Sequence, residues 1–243
     1  MATTTSRPPV FDVVRSAQRF HANRGWLDTY HSFSFADYDD PANLNWGALR
    51  VFNDDTIAPG TGFPAHPHAD MEIVTYVLGG ELAHRDSMGN EGVVGPGGVQ
   101  FMSAGTGVRH SEFNASAQQP LHLVQMWVLP GKLGTAPSYG QMAFETDERR
   151  NKWLAVVGGD AAVEAPIRIT QDATLRVARL EGGPIVAEMA PKRYGFLFVA
   201  KGTVEANGER LSEGDAVRLY DVARLAVSGE GELVFWDLPE VAP

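Results

Sequence analysis

The sequence has 243 residues, of which 44% are hydrophobic and 21% charged, and these values are typical of a soluble globular protein rather than a disordered chain. Thirty acidic against twenty basic side chains give a formal charge of -10, which disfavours direct binding to nucleic acid or to an anionic membrane surface. Cysteine is absent, so any metal must be bound by nitrogen and oxygen ligands.

The chain carries no stretch of about twenty apolar residues, and its N-terminus lacks a basic start followed by an apolar core. We therefore expect a soluble, cytoplasmic protein. Residues 1–30 give mixed signals, but from Trp46 onward short β-rich runs such as GALRVF, EIVTYVL and LHLVQMWVL alternate with turn residues. This spacing predicts an all-β sandwich or barrel.

A polar, turn-rich segment follows Pro130 and predicts a domain boundary, with one domain over residues 1–135 and a second over 136–243. The halves weakly echo each other, because EIVTYVLGGELAHRD and YGFLFVAKGTVEANG both read as a strand, a Gly turn and a strand. All seven histidines lie in the first half, so the second half is predicted to be a structural partner without an imidazole cluster.

The segment GTGFPAHPHADMEIVTYVLGG places His66 and His68 at positions i and i+2, which share one face of an extended strand. Neutral imidazole is the commonest metal ligand in proteins. A second pair, His110 and Glu112, has the same spacing in GTGVRHSEFN. Three imidazoles and one carboxylate suit a divalent first-row metal and, in an octahedral shell, leave two positions open.

Glu72 competes with Glu112, because in an extended strand it has the same parity as His66 and His68. It could be the fourth ligand, an acceptor that orients an imidazole, or a general base. The other four histidines, His21, His31, His84 and His122, are expected to be structural or surface residues.

The pattern G-x5-HPH-x3-E-x6-G over residues 60–79 matches the first cupin motif, and a cupin-like second motif spans residues 95–114. Nearly the whole chain resembles the pirin family in its bacterial quercetin 2,3-dioxygenase-like branch. The resemblance is carried by NDDTIAPGTGFPAHPHADMEIVTYV, HRDSMGN, FMSAGTGVRHSEFN, LVQMWVLP and VFWDLP.

This resemblance implies a bicupin of two antiparallel, jelly-roll-like β-barrels with the metal site in the N-terminal barrel only. The implied ligands are His66, His68, His110 and Glu112, whereas Glu72 occupies a position that binds metal in many other cupins. The resemblance therefore favours Glu112. This sequence has Ala69 where family members often carry a basic residue, a change that bears on the pocket entrance.

The implied activity is a metal-dependent dioxygenase that cleaves flavonols such as quercetin with release of carbon monoxide, with Glu112 or Glu72 as the base. Iron(II) is the expected metal, although manganese, cobalt, nickel, copper or zinc would also suit nitrogen and oxygen ligands. The alternative is a metal-containing regulatory or redox-sensing protein that binds a protein partner. We expect a monomer.

Apolar side chains near the motifs would line a binding site for a flat ligand, although most are expected to lie in the barrel core. They are Phe52, Phe63, Tyr76, Phe101, Met102, Phe113, Met126 and Trp127.

Overall fold

The structure is a computed structural model that describes residues 7–241, and it contains twenty β-strands and two single-turn 3-10 helices, Ser16–Gln18 and Thr146–Glu148. No helix in this part of the chain is long and apolar enough to cross a membrane. The predicted all-β fold is confirmed.

The N-terminal half forms two antiparallel sheets that face each other. Their strands are β2 Phe20–Asn23, β3 Leu27–His31, β4 Leu49–Ile57, β5 Gly62–His68, β6 Glu72–Gly79, β7 Leu82–Asp86, β8 Glu91–Val94, β9 Val99–Ser103, β10 Val108–Asn114, β11 Leu121–Val128 and β12 Ser138–Met142. The larger sheet has the order β12-β9-β6-β11-β4-β3-β2 and the smaller β5-β10-β7-β8.

The C-terminal half forms one sheet of nine strands. They are β1 Val10–Val14, β13 Leu154–Gly158, β14 Ile167–Arg168, β15 Thr174–Glu181, β16 Ile185–Glu188, β17 Tyr194–Ala206, β18 Glu209–Ser212, β19 Ala216–Tyr220 and β20 Arg224–Leu238. The long strand β17 pairs with β19 along its first part and with β18 along its last part, and the sheet encloses a core of its own. Gly202, at a φ of 87°, lies in β17 beside a register shift between Val199 and Lys201.

Both halves exchange a strand with the sheet of the other half. The N-terminal strand β1 pairs with β19, with Val10 opposite Tyr220. Strand β12 follows the boundary predicted at residue 135, yet it pairs with β9, with Ser138 opposite Ser103. The boundary stays a prediction, and two strand pairings cross it.

The two halves also share a large apolar core. The outward faces of β4, β6 and β11 pack against β15, β17 and β20, where Trp236 is fully buried and its indole N–H donates to the Met126 sulfur at 3.0 Å. Tyr76 crosses this interface and donates a hydrogen bond to Glu232. The opposite faces of β4, β6 and β11 are left free to line the interior of the N-terminal barrel.

Candidate metal centre and ligand cavity

Strands β5 and β10 bring the predicted histidines together. The two strands are antiparallel, with His66 directly opposite His110, and the Nε2 atoms of these two rings lie 3.0 Å apart. The ring centre of His68 lies 4.8 Å from that of His66 and 4.9 Å from that of His110. One ligand nitrogen from each ring lies within 4.8 Å of the other two, so these imidazoles can share one metal ion.

Close approach of the strands at this point depends on Gly62. A Cβ atom there would come within 2.2 Å of the Glu112 carbonyl oxygen and 2.5 Å of the Phe113 Cα. The strand register shifts between His110 and Glu112, as it does at a β-bulge. Bulges re-aim side chains next to functional sites.

Glu112 is 2% exposed, and both of its carboxylate oxygens accept hydrogen bonds from amide side chains. Gln100 donates from Nε2 at 2.6 Å, and Gln125 donates from Nε2 at 2.7 Å. Glu112 also shares a second set of neighbouring ligand atoms with His110 and His84. The two amides fix the orientation of the carboxylate beside the histidines.

Two imidazoles of this cluster, those of His68 and His110, are in the neutral form that binds metals. Burial, followed by the neighbouring His110 and His66, lowers the pKa of His68 to about 4. Burial and the adjacent His66 and His84 lower the pKa of His110 to about 3. Both rings are therefore neutral at pH 7. His66 places Nδ1 2.8 Å from the Pro64 carbonyl, and donation of that proton leaves Nε2 free as a ligand.

A cavity of about 380 Å³ opens beside the cluster, a size that suits a small organic ligand. Its apolar walls include Trp26, Phe35 and Phe63, and Trp127 packs edge-on against the His68 ring at 4.8 Å. The polar lining residues are His66, His68, Glu112, Gln125, Asn53, Asp55, Thr29, His31 and Arg24.

Comparison with known proteins identifies the family. Residues 12–128 match the Pirin family, and residues 161–235 match the quercetinase C-terminal cupin domain. A quercetin 2,3-dioxygenase of Escherichia coli K12 is 42% identical over 230 residues, which cover 93% of this chain and 98% of the relative. A pirin-like protein of Caulobacter vibrioides is 45% identical over 221 residues, covering 89% of this chain and 94% of the relative.

The chain belongs to the pirin family.

Solved structures agree with this assignment. The crystal structure of YhhW from Escherichia coli superposes on this pirin with a TM-score of 0.89 at 40% identity, covering 96% of this chain and all of the other. A nickel(II) complex described as bacterial pirin YhhW gives a TM-score of 0.88 with the same identity and coverage. The predicted family and bicupin fold are confirmed, and the names of the relatives agree with the predicted oxidoreductase class.

Glu72 lies apart from the histidine cluster of this pirin. The parity argument that joined it to His66 and His68 is wrong, because β5 ends at His68 and β6, in the other sheet, begins at Glu72. Asp70, at a φ of 45°, lies in the turn between them. The buried Glu72 carboxylate instead accepts hydrogen bonds from the backbone and hydroxyl of Thr170 in the second half, at 3.0 and 2.6 Å. Its predicted role as a ligand or base stays a prediction.

Two histidines that the sequence did not favour lie at the site. His84 stacks on Tyr139 at 4.1 Å and lies near His110, and it has the same i, i+2 spacing to Asp86 that marked the other pairs. His31 lines the cavity, as do Trp26 and Phe35, and all three precede the β-rich runs that begin at Trp46. Of the apolar side chains expected near the motifs, Phe63 and Trp127 line the cavity, whereas the shared core contains Phe52, Tyr76, Phe101 and Met126.

Proposed function

We propose that this pirin is a metal-dependent dioxygenase that cleaves flavonols such as quercetin, adding both atoms of dioxygen and releasing carbon monoxide. The observation that carries the proposal is a cluster of three converging imidazoles, two of which, His66 and His68, line an aromatic-walled cavity together with Glu112. Such a cavity suits a flat aromatic ligand whose oxygen atoms reach the metal centre.

The proposed ligands of a divalent metal are His66, His68, His110 and Glu112. Three imidazoles and a carboxylate match the donor set of first-row metals. The Nε2 atoms of His66 and His110 face each other, and Glu112 has a ligand atom within 4.8 Å of one on His110. We propose iron(II) as the native ion. When bound, it would supply the redox chemistry that brings dioxygen and the activated flavonol together.

The protein's own contribution is to orient the substrate and accept its proton. The Glu112 carboxylate, held by Gln100 and Gln125, is the proposed acceptor for the 3-hydroxyl proton of the flavonol. Trp127 and Phe63 flank the histidines and would hold the flat rings while they exclude water.

The test compares oxygen uptake and carbon monoxide release by iron-loaded protein with quercetin. Wild type should turn over, whereas His66→Ala and His110→Ala should reduce the rate by at least about a thousandfold, because each removes a ligand of the ion that carries the chemistry. His21→Ala is the matched control, since His21 is exposed and lies outside the cavity lining.

Binding without turnover across a panel of flavonols would contradict the dioxygenase proposal and would favour the alternative of a regulatory or redox-sensing protein. Elemental analysis of the protein purified from its native cells tests the choice of iron(II). Nickel or copper in stoichiometric amounts would contradict that choice without affecting the proposed ligand set.

A further inference from the structure

Two buried side chains on the cavity wall each have a polar atom that makes no hydrogen bond within residues 7–241. These atoms are Nδ1 of His31 and Oδ1 of Asn53. Each residue is 4% exposed, and both line the cavity. Buried polar atoms are nearly always paired, because an unmade hydrogen bond is costly. Each of these atoms is enclosed in the free protein, and a ligand hydroxyl that reaches its side chain from the cavity would supply the missing partner.

The pairing of β3, β4 and β11 shows how far these two residues lie from the metal centre. His31 on β3 is opposite Asn53 on β4, and Asn53 is opposite Gln125 on β11. Neighbouring strands are about 4.8 Å apart, so His31 lies roughly 10 Å across the sheet from Gln125, which contacts Glu112. The cavity thus has a polar end at the metal centre and a second one at His31 and Asn53.

Aromatic rings connect these two ends. The His31 ring packs edge-on against Phe35 at 5.5 Å, Phe35 packs edge-on against Trp127 at 5.2 Å, and Trp127 contacts His68. A wall of this kind favours a flat, rigid aromatic ligand that extends from one polar end to the other.

The chemistry of the second polar end favours a neutral hydroxyl group. An amide Oδ1 accepts hydrogen bonds only, and a neutral imidazole offers one acceptor nitrogen. Burial lowers the pKa of His31 to about 4, although the nearby Phe35 backbone opposes the shift, so the ring is neutral at pH 7.

We propose that His31 and Asn53 form a second ligand subsite, which binds a phenolic hydroxyl of an aromatic ligand at the end of the cavity away from the metal centre. The proposal rests on the proposed function in one respect, namely that the other end of the ligand chelates the metal at the histidine cluster.

The test measures dissociation constants of quercetin and 3-hydroxyflavone, which lacks every hydroxyl except the chelating one, by quenching of tryptophan fluorescence in metal-loaded protein. Wild type should bind quercetin at least about tenfold more tightly. Asn53→Leu and His31→Phe, which keep the side-chain shape, should each weaken quercetin binding by about five- to tenfold and leave 3-hydroxyflavone within about twofold. Thr56→Ala, exposed on the same strand, is the matched control.

Equal weakening of both ligands, no weakening of quercetin, or failure of the wild type to bind either ligand would overturn the subsite. Thermal unfolding separates a binding role from a structural one. Because Asn53→Leu removes an unpaired buried polar atom, its unfolding midpoint should be unchanged or raised, and a clear fall would contradict the proposal. If quercetin binds without oxygen uptake, the dioxygenase proposal fails, and the subsite is judged by the dissociation constants alone.

Discussion

The interiors of the two barrels differ although the strands around them are arranged alike. The order β5-β10-β7-β8 in the first half corresponds to β16-β20-β17-β18 in the second. Where β5 and β10 present His66, His68, His110 and Glu112, the pair β16 and β20 presents a wholly apolar set packed into one core. That set is Ile185, Ala187, Leu225 and Val227.

The interior of the first barrel also contains a layer of polar side chains. Five side chains in register cross the large sheet of the first barrel, and two of them donate hydrogen bonds to Glu112. They are His31, Asn53, Gln125, Thr75 and Gln100. Below this layer lies a small apolar cluster that contains Ile57 and Leu123. One barrel uses its interior for stability, whereas the other gives up part of its apolar core to hold a site.

The largest effect is expected when the two histidines of β5 are replaced by the residues at the corresponding positions of β16. The double variant His66→Ile, His68→Ala should lose stoichiometric nickel(II) binding, with affinity lowered by more than about a hundredfold, because loss of outer partners alone costs 10–100-fold. Isothermal titration calorimetry checks this, with circular dichroism as the control for folding. Retention of wild-type affinity would contradict the assignment of these ligands.

The converse change removes apolar volume from the second barrel. Phe235 is fully buried in its core, so Phe235→Ala should lower the free energy of unfolding by about 3–5 kcal/mol. Denaturant titration measures this loss. Nickel affinity of the folded protein should change by less than about twofold, because Phe235 is not among the residues lining the metal-site cavity. A large fall in affinity would mean that the two interiors are coupled.

A third prediction concerns Asp55, which follows Asn53 by two residues on β4 and lines the same cavity. Burial raises the pKa of Asp55 from 3.8 to about 7, opposed by a hydrogen bond from Thr29 and reinforced by Asp54 and Glu112. The folded state therefore holds a proton that the unfolded state releases, and stability falls as pH rises from about 4 to 7. Asp55→Asn should remove this part of the dependence, gaining about 4 kcal/mol over wild type at pH 8 and nothing at pH 3. A constant difference across that range would contradict it.

The smallest expected effect is at Glu72. Glu72→Gln should lower the free energy of unfolding by about 1–2 kcal/mol, because it weakens the charge-assisted hydrogen bonds from Thr170. Thr170→Val, in a double-mutant cycle, isolates the hydroxyl contribution. Nickel affinity should be unchanged, and a fall of tenfold or more would show that Glu72 acts as a ligand instead.

Local patterns in the sequence were enough to find the paired ligands, because i, i+2 spacing on a single strand fixes which side chains share a face. His66 and His68 obey this rule, and so do His110 and Glu112. The same rule misled at Glu72, since parity does not carry across the turn at Asp70 into another sheet.

The pairing register between different strands could not be predicted from the sequence in this way. His31, Asn53 and Gln125 become neighbours only when β3, β4 and β11 pair, and no pattern within a single strand predicts that pairing. The cavity walls from Trp26 and Phe35 were missed for a related reason, because short, irregular segments carry no periodicity.

The strand exchange between the halves has a consequence during protein synthesis. Val10 on β1 pairs with Tyr220, more than 200 residues later. At typical translation rates, β1 therefore stays unpaired for about 10–40 s until β19 is synthesised. An unpaired VFDVV segment is a potential template for pairing with other chains. Asp12, exposed at its centre, places a charge in the middle of that apolar run and would protect the nascent chain from aggregation until β19 is made.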